Sequence, residues 1–111
     1  MRRIGNTPIL KENEIKSVFE NPKRISSDSF IILYKNGKEK KVAFTVKKGN
    51  YKNIVERNRM KRILRKLFLE YESDFFENMN YVLIANRKIL QKDLEQLREE
   101  FFSVVKKVKQ L

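Results

Sequence analysis

The chain has 111 residues, enough for one domain with a modest core and too few for a second domain with its own cleft. Charged residues make up 36% of it and apolar residues 41%, and 26 Lys or Arg against 14 Asp or Glu leave a formal net charge of +12. A surplus of this size opposes compaction and is usually neutralised by a polyanion. Cys and His are both absent, which excludes disulfides, Cys-based zinc sites and the usual acid–base group of neutral pH. A cytoplasmic setting is compatible with this composition.

Residues 1–10 contain Gly5, Asn6 and Pro8 and read as a flexible or extended arm. No apolar stretch follows Arg2 and Arg3, so they do not begin a secretory signal. Lys11 to Glu20 is predicted to be a short helix. Ile15, Val18 and Phe19 share one side of it, Glu12 and Glu14 suit the positive end of its dipole, and Asn21-Pro22 ends it. Phe30 to Tyr34 is predicted to be a strand, and a further short strand fits near Ile25–Ser27. Asn36-Gly37 signals a hairpin, with Lys40 to Lys47 as the returning strand.

In that returning strand Val42, Phe44 and Val46 share one face, and Lys41, Ala43, Thr45 and Lys47 share the other. If Ile31 and Leu33 join the core, Phe30, Ile32 and Tyr34 lie on the opposite face, which would combine aromatic, small and basic side chains. An ordinary solvated sheet face fits the pattern equally well. Gly49-Asn50 marks a turn, Glu56 to Glu72 is the longest predicted helix, and Tyr81 to Ala85 reads as a buried strand. Asp93 to Lys109 is a final amphipathic helix whose Asp93 and Gln96 resemble a capping box. The expected fold is α+β with a mostly antiparallel sheet. No apolar run approaches the roughly 20 residues that span a bilayer.

The central helix carries Met60, Ile63, Leu64, Leu67, Phe68 and Tyr71 in one apolar sector. The opposite sector holds Asn58, Arg59, Lys61, Arg62, Arg65 and Lys66, with Arg57 reaching sideways and Leu69 as a partly exposed apolar neighbour. From Lys47 to Lys66 there are nine Lys or Arg and one acid, Glu56, which is +8 of the chain's +12. Arg57–Lys61, Lys61–Arg65 and Arg62–Lys66 are like-charge pairs that each cost an isolated helix roughly 0.2–0.5 kcal/mol. Arg57 and Arg59 also crowd the expected helix start, against the dipole. In the final helix the acids come first and the lysines last, as the dipole prefers. Such a local conflict is tolerated where function needs it, and phosphate would relieve it, because arginine forks and free helix N–H groups both bind anions.

The segment Val55-Glu56-Arg57-Asn58-Arg59-Met60-Lys61-Arg62-Ile63-Leu64-Arg65 closely resembles the signature of the protein subunit of bacterial ribonuclease P, approximately V-x-R-N-R-x-K-R-x-x-R. Val55, Arg57, Asn58, Arg59, Lys61, Arg62 and Arg65 meet every fixed position. Leu10 to Phe19, Phe30 to Tyr34, Val46-Lys47-Lys48 and Tyr81 to Ala85 also look like that family's first helix, first long strand, lysine-bearing strand end and following strand. Lys52 stands before Asn53-Ile54-Val55, where the family usually has glycine, and the glycine here is Gly49.

The resemblance implies a small two-layer α/β sandwich (ribosomal protein S5 domain 2-like) around the central basic helix. It implies an accessory subunit of an endoribonuclease that removes the 5′ leader of precursor tRNA, with catalysis by an RNA subunit and Mg²⁺ held mainly by RNA. It implies that Lys47, Lys48, Asn53, Arg57, Asn58, Arg59, Lys61, Arg62, Arg65 and Lys66 bind RNA. Ile15, Phe19, Phe30, Tyr34 and Thr45 are implied to line a cleft for the single-stranded leader. No catalytic or metal-binding residue is expected in this chain, and neither membrane nor DNA is an expected partner. The alternative is a structural or ribosomal-type RNA-binding protein, which shares the charge and fold class but not the extended signature.

Overall fold

The computed structural model describes residues 2–110. The chain runs β1 (Arg3–Ile4), β2 (Thr7–Pro8), α1 (Glu12–Phe19), β3 (Lys23–Ser26), β4 (Phe30–Asn36), β5 (Lys41–Val46), α2 (Ile54–Glu70), β6 (Met79–Ala85) and α3 (Leu94–Lys109). Short 3-10 turns lie at Glu72–Asp74 and Arg87–Leu90. Four strands make one sheet in the spatial order β3-β4-β6-β5. The β3–β4 and β4–β6 pairings are antiparallel, and β5–β6 is parallel. The α+β class and the central basic helix are as read from the sequence, and the sheet is mixed.

The expected hairpin does not form. Asn36-Gly37 does turn the chain, but β4 and β5 are not neighbours, because β6 lies between them. Gly37 N–H donates to the carbonyl of Asn78, just before β6, at 2.9 Å. The reason lies in β6 itself. Tyr81, Val82, Leu83 and Ala85 are all buried, and a strand apolar on both faces gains most at the centre of a sheet. Turn chemistry specified the reversal at Gly37 but not the pairing partner.

Both faces of the sheet are covered. Phe30, Ile32, Tyr34, Val42, Tyr81 and Leu83 face α2 and α3, meeting Met60, Leu64, Leu67, Phe68, Phe101 and Val105 in the main core. Phe30 sits edge-on to Phe101, with ring centroids 5.3 Å apart. On the other face Leu33, Ala43 and Val82 lie beneath Leu10 and Val18, so α1 adds a cover on that side. Lys35 Nζ donates to the carbonyls of Ser17 and Glu20 at 3.1 and 3.0 Å, holding the C-terminal end of α1. Lys41 pairs with Glu14 at 2.7 Å near its start.

The helix ends are satisfied. Asp93 accepts from Gln96 N–H at 2.8 Å and Gln96 returns the bond to Asp93 N–H at 3.0 Å, the capping box expected for α3. Glu100 ties α3 to the β3–β4 turn, accepting from Ser29 N–H at 2.7 Å, from the Ser27 and Ser29 hydroxyls, and from Lys92 at 2.7 Å. Burial pushes the Glu100 carboxyl up, but Lys92 and the two serines outweigh it and hold it below its ordinary range. Within the segment 1–10, read from the sequence as a flexible or extended arm, Arg3–Ile4 and Thr7–Pro8 pair as the β1–β2 hairpin. The chain after it is strapped to the free edge of β5, with Leu10 N–H donating to Val42 C=O at 2.9 Å. Among the described residues no helix is long and apolar enough to cross a membrane.

Candidate nucleic-acid interface

The start of α2 is fixed by a polar cluster. Asn53 caps the helix, its Oδ1 accepting from Glu56 N–H at 2.9 Å. Glu56 reaches back to accept from Lys52 N–H at 3.0 Å and takes both guanidinium nitrogens of Arg87, at 2.7 and 3.2 Å. The Lys52 N–H, with Arg87, holds the Glu56 carboxyl below its usual value. Arg87 N–H in turn donates to Asn50 Oδ1 at 3.2 Å, tying the 47–53 loop to the end of β6. Sequence reasoning missed Arg87, because its partner is 31 positions away.

These contacts correct one inference. The helix begins at Ile54, two residues before the expected Glu56, so Arg59 lies beyond its first turn and Arg57 only closes that turn, directly after an acid, Glu56. The conflict with the dipole is therefore weaker than expected, whereas the like-charge pairs remain. No basic residue occupies the last turn of α2. Just beyond that turn, Lys40 Nζ donates to the carbonyls of Glu72 and Phe75 at 2.9 and 3.2 Å.

The basic sector divides in two. Asn58, Arg59, Arg62 and Lys66 are exposed, and Asn58, Arg62 and Lys66 border an open depression with Arg65, Leu69 and Glu70. Arg57, Lys61 and Arg65 are half-buried on the flank. The Arg57 guanidinium lies 5.9 Å from the centre of the Tyr51 ring, the sideways reach expected of it. Lys47 and Lys48 are exposed on a turn closed by Asn50 N–H to Lys47 C=O at 3.0 Å, where Gly49 supplies a φ of +83°.

Among the described residues, the six α2 cations stand outside every ion pair, as Arg2, Lys47, Lys48 and Lys52 also do. Glu14, Asp28, Glu56, Glu70, Asp74 and Glu100 are all engaged, and their partners are Lys41, Lys88, Lys92, Arg87, Arg98 and Lys109. Among the described residues, Arg57, Arg59, Lys61, Arg62, Arg65 and Lys66 make no ion pair. Partial burial, then the charges of Arg57, Arg65 and Arg2, push the Lys61 ammonium below its ordinary pKa. An anion entering here meets positive charge that no protein acid has neutralised.

A second feature lies beside α1. Leu33, Ala43 and Val82 are buried under the helix, but the next row across the sheet, Ile31, Ile84 and Thr45, is half-exposed. Ile15 packs at its border, and Phe19 is 48% exposed. The expected cleft residues Ile15, Phe19 and Thr45 thus lie on α1 or on the sheet face that α1 covers. Phe30 and Tyr34 do not: they are 1% and 7% exposed and point into the core against α2 and α3. Successive strand side chains alternate, so with Leu33 under α1 the even-numbered neighbours must face away. Ile31 and Ile84 take the places expected of the two aromatics.

Among the described residues no group of three or more Asp or Glu gathers that could hold a metal ion.

An unpaired basic helix on a mixed sheet, beside a half-exposed apolar row, defines a polyanion-binding α+β protein. The family model for ribonuclease P matches residues 5–109. The ribonuclease P protein component of Caldanaerobacter subterraneus subsp. tengcongensis is 32% identical over 104 residues, covering 91% of this chain and 88% of that protein. That of Halalkalibacterium halodurans is also 32% identical, covering 91% and 87%. Among solved structures, the RNase P protein from Thermotoga maritima superposes with a TM-score of 0.75 at 18% identity, covering 93% of this chain and 96% of that one. The chain belongs to the ribonuclease P protein family, and its place is as a protein subunit of that endoribonuclease, in association with ribonuclease P RNA.

Proposed function

We propose that this subunit assists removal of the 5′ leader from precursor tRNA by holding two RNA segments at once. The basic face of α2, with Lys47 and Lys48, grips phosphates of the catalytic RNA and of nucleotides near the cleavage site. The groove bordered by Ile15, Phe19, Ile31, Thr45 and Ile84 takes the single-stranded leader. The observation that carries this reading is the set of six α2 cations that make no ion pair among the described residues, together with the half-exposed Ile31, Thr45 and Ile84 on the sheet face that α1 covers. Single strands bind in this way, with phosphates tracked by cations and bases stacked on apolar or aromatic surface, at little cost in sequence preference.

Hydrolysis of the phosphodiester would belong to the RNA subunit in this reading, and the Mg²⁺ it uses would be held mainly by RNA. The protein's share is positioning and the screening of phosphate repulsion. The test is to add this protein to a bacterial ribonuclease P RNA and follow cleavage of a precursor tRNA at low Mg²⁺. Cleavage at the mature 5′ end, at a Mg²⁺ concentration where the RNA alone is inactive, is the expected result. No stimulation at any Mg²⁺ concentration would overturn the reading and favour a structural RNA-binding role.

A further inference from the structure

The N-terminal hairpin is a folded element with its own latch. Gly5 has a φ of +59°, suited to the first position of a two-residue hairpin loop. Glu72, just past α2, accepts from Asn6 N–H at 2.8 Å and from the Thr7 hydroxyl. A Cβ on Gly5 would lie 2.4 Å from Glu72 Oε1, so the carboxylate fits only against glycine. Thr7 and Pro8 are buried, and Ile9 N–H donates to Arg2 C=O at 3.1 Å, which fixes the backbone of Arg2. The carbonyl of Glu72 is held by Lys40.

This latch brings the hairpin to the half-buried flank of α2. A groove of about 420 Å³ opens there, with Arg2, Arg3, Lys61 and Arg65 around it and Ile9 and Ile15 among its apolar lining. No acid lines it. Arg3 is engaged within the hairpin, donating to Asn6 C=O at 3.1 Å, whereas the exposed Arg2 has no ion-pair partner among the described residues. Arg2 is close enough to help depress the Lys61 pKa. The half-buried Glu72 carboxylate thus helps to place one more cation beside others that already repel one another.

We propose that the hairpin is a wall of the RNA-binding surface: Arg2, with Lys61 and Arg65, grips phosphate of the bound RNA, and Glu72 is the positioning residue that sets Arg2 in place. The proposal rests on the RNA-binding reading above and extends it to a segment outside the signature. The phosphate belongs either to the ribonuclease P RNA or to the precursor tRNA, and the two arms of the test separate them.

Binding of full-length protein to ribonuclease P RNA is measured in one arm, and binding of precursor tRNA by the reconstituted particle in the other. Arg2→Ala is expected to weaken one arm roughly three- to tenfold and to reduce the slope of log affinity against log salt by about one counterion. Glu72→Ala removes a negative charge, so simple electrostatics would strengthen RNA binding. The proposal requires the opposite, a loss like that of Arg2→Ala, with the double variant no weaker than the worse single one. Glu72→Gln keeps an acceptor and should restore most of the affinity. Thermal melting identifies any variant that fails to fold, and Arg2→Ala changes an exposed side chain and decides the matter alone. If Arg2→Ala leaves both arms unchanged while Arg62→Ala weakens binding, the hairpin proposal falls and the α2 reading stands. If Arg62→Ala is also silent, the α2 reading falls.

Discussion

Arg62 projects from the exposed side of α2 with Lys66 one turn on and no acid to pair with. Arg62→Ala should therefore leave folding intact, weaken binding to ribonuclease P RNA and flatten its salt dependence by about one counterion, read from titrations at several salt concentrations. Phe19 is half-exposed at the end of α1, where a core residue would be covered. Phe19→Ala should cost precursor tRNA binding more than mature tRNA binding, and equal losses would return Phe19 to a packing role. The Glu100 carboxyl is held below the ordinary carboxylate range in the folded protein, because Lys92 and the two serines outweigh its burial. It stabilises the fold above the unfolded pKa and loses that contribution as pH falls through the folded one. Glu100→Gln should melt earlier at neutral pH and lose less on acidification below about pH 5, followed by thermal melting. Arg57, Lys61, Arg62 and Arg65 were legible as site candidates because spacing and sign survive in a bare sequence. The orientation of Phe30 and Tyr34 was not, because residues 30–34 are apolar without a break and offer no polar face to fix which way alternate side chains point.

At the level of elements, α1, α2, β6 and α3 were readable from periodicity and caps, each within about two residues, the usual uncertainty of helix and strand ends. The order of strands was not readable. Asn36-Gly37 describes only its own four residues, whereas the neighbour of β4 is chosen by the burial of Tyr81–Ala85, roughly fifty residues away along the chain. The hairpin at Arg3–Pro8 was hidden for a similar reason, since Glu72, its anchor, is 66 positions from Asn6. The cap of α2 offers a direct test of how firmly the basic surface is held. Asn53→Ala removes the acceptor for Glu56 N–H and should destabilise the fold by about 1 kcal/mol, measured by chemical denaturation. Part of any loss in RNA binding by this variant should be recovered at lower temperature, where the first turn of the helix is refilled.

Across the whole molecule, a net charge of +12 sets stability and binding against each other in salt. Screening relieves self-repulsion in the free protein, so moderate NaCl should raise its melting temperature. The same salt should lower RNA affinity along a log–log line, because binding releases counterions from the RNA. A melting temperature that falls with NaCl over the same range would mean that the ion pairs of Glu14, Asp28 and Glu100 matter more than the repulsion among the α2 cations. The acids at the two ends of α2, Glu56 and Glu70, are taken up by Arg87 and Arg98, which leaves the cations between them for the partner.

The position of β6 between β4 and β5 has a consequence for the order in which the chain is made. When the ribosome has delivered everything up to Asn78, the entire signature helix exists, but the strand that must lie beside β5 does not. Until Met79–Ala85 emerges, β4 and β5 each present an unpaired inner edge, and the apolar side of α2 has no finished sheet to rest on. The most basic part of this protein is therefore synthesised before its support, so a nascent chain meets cellular RNA first as an unfolded polycation and only later as a shaped surface.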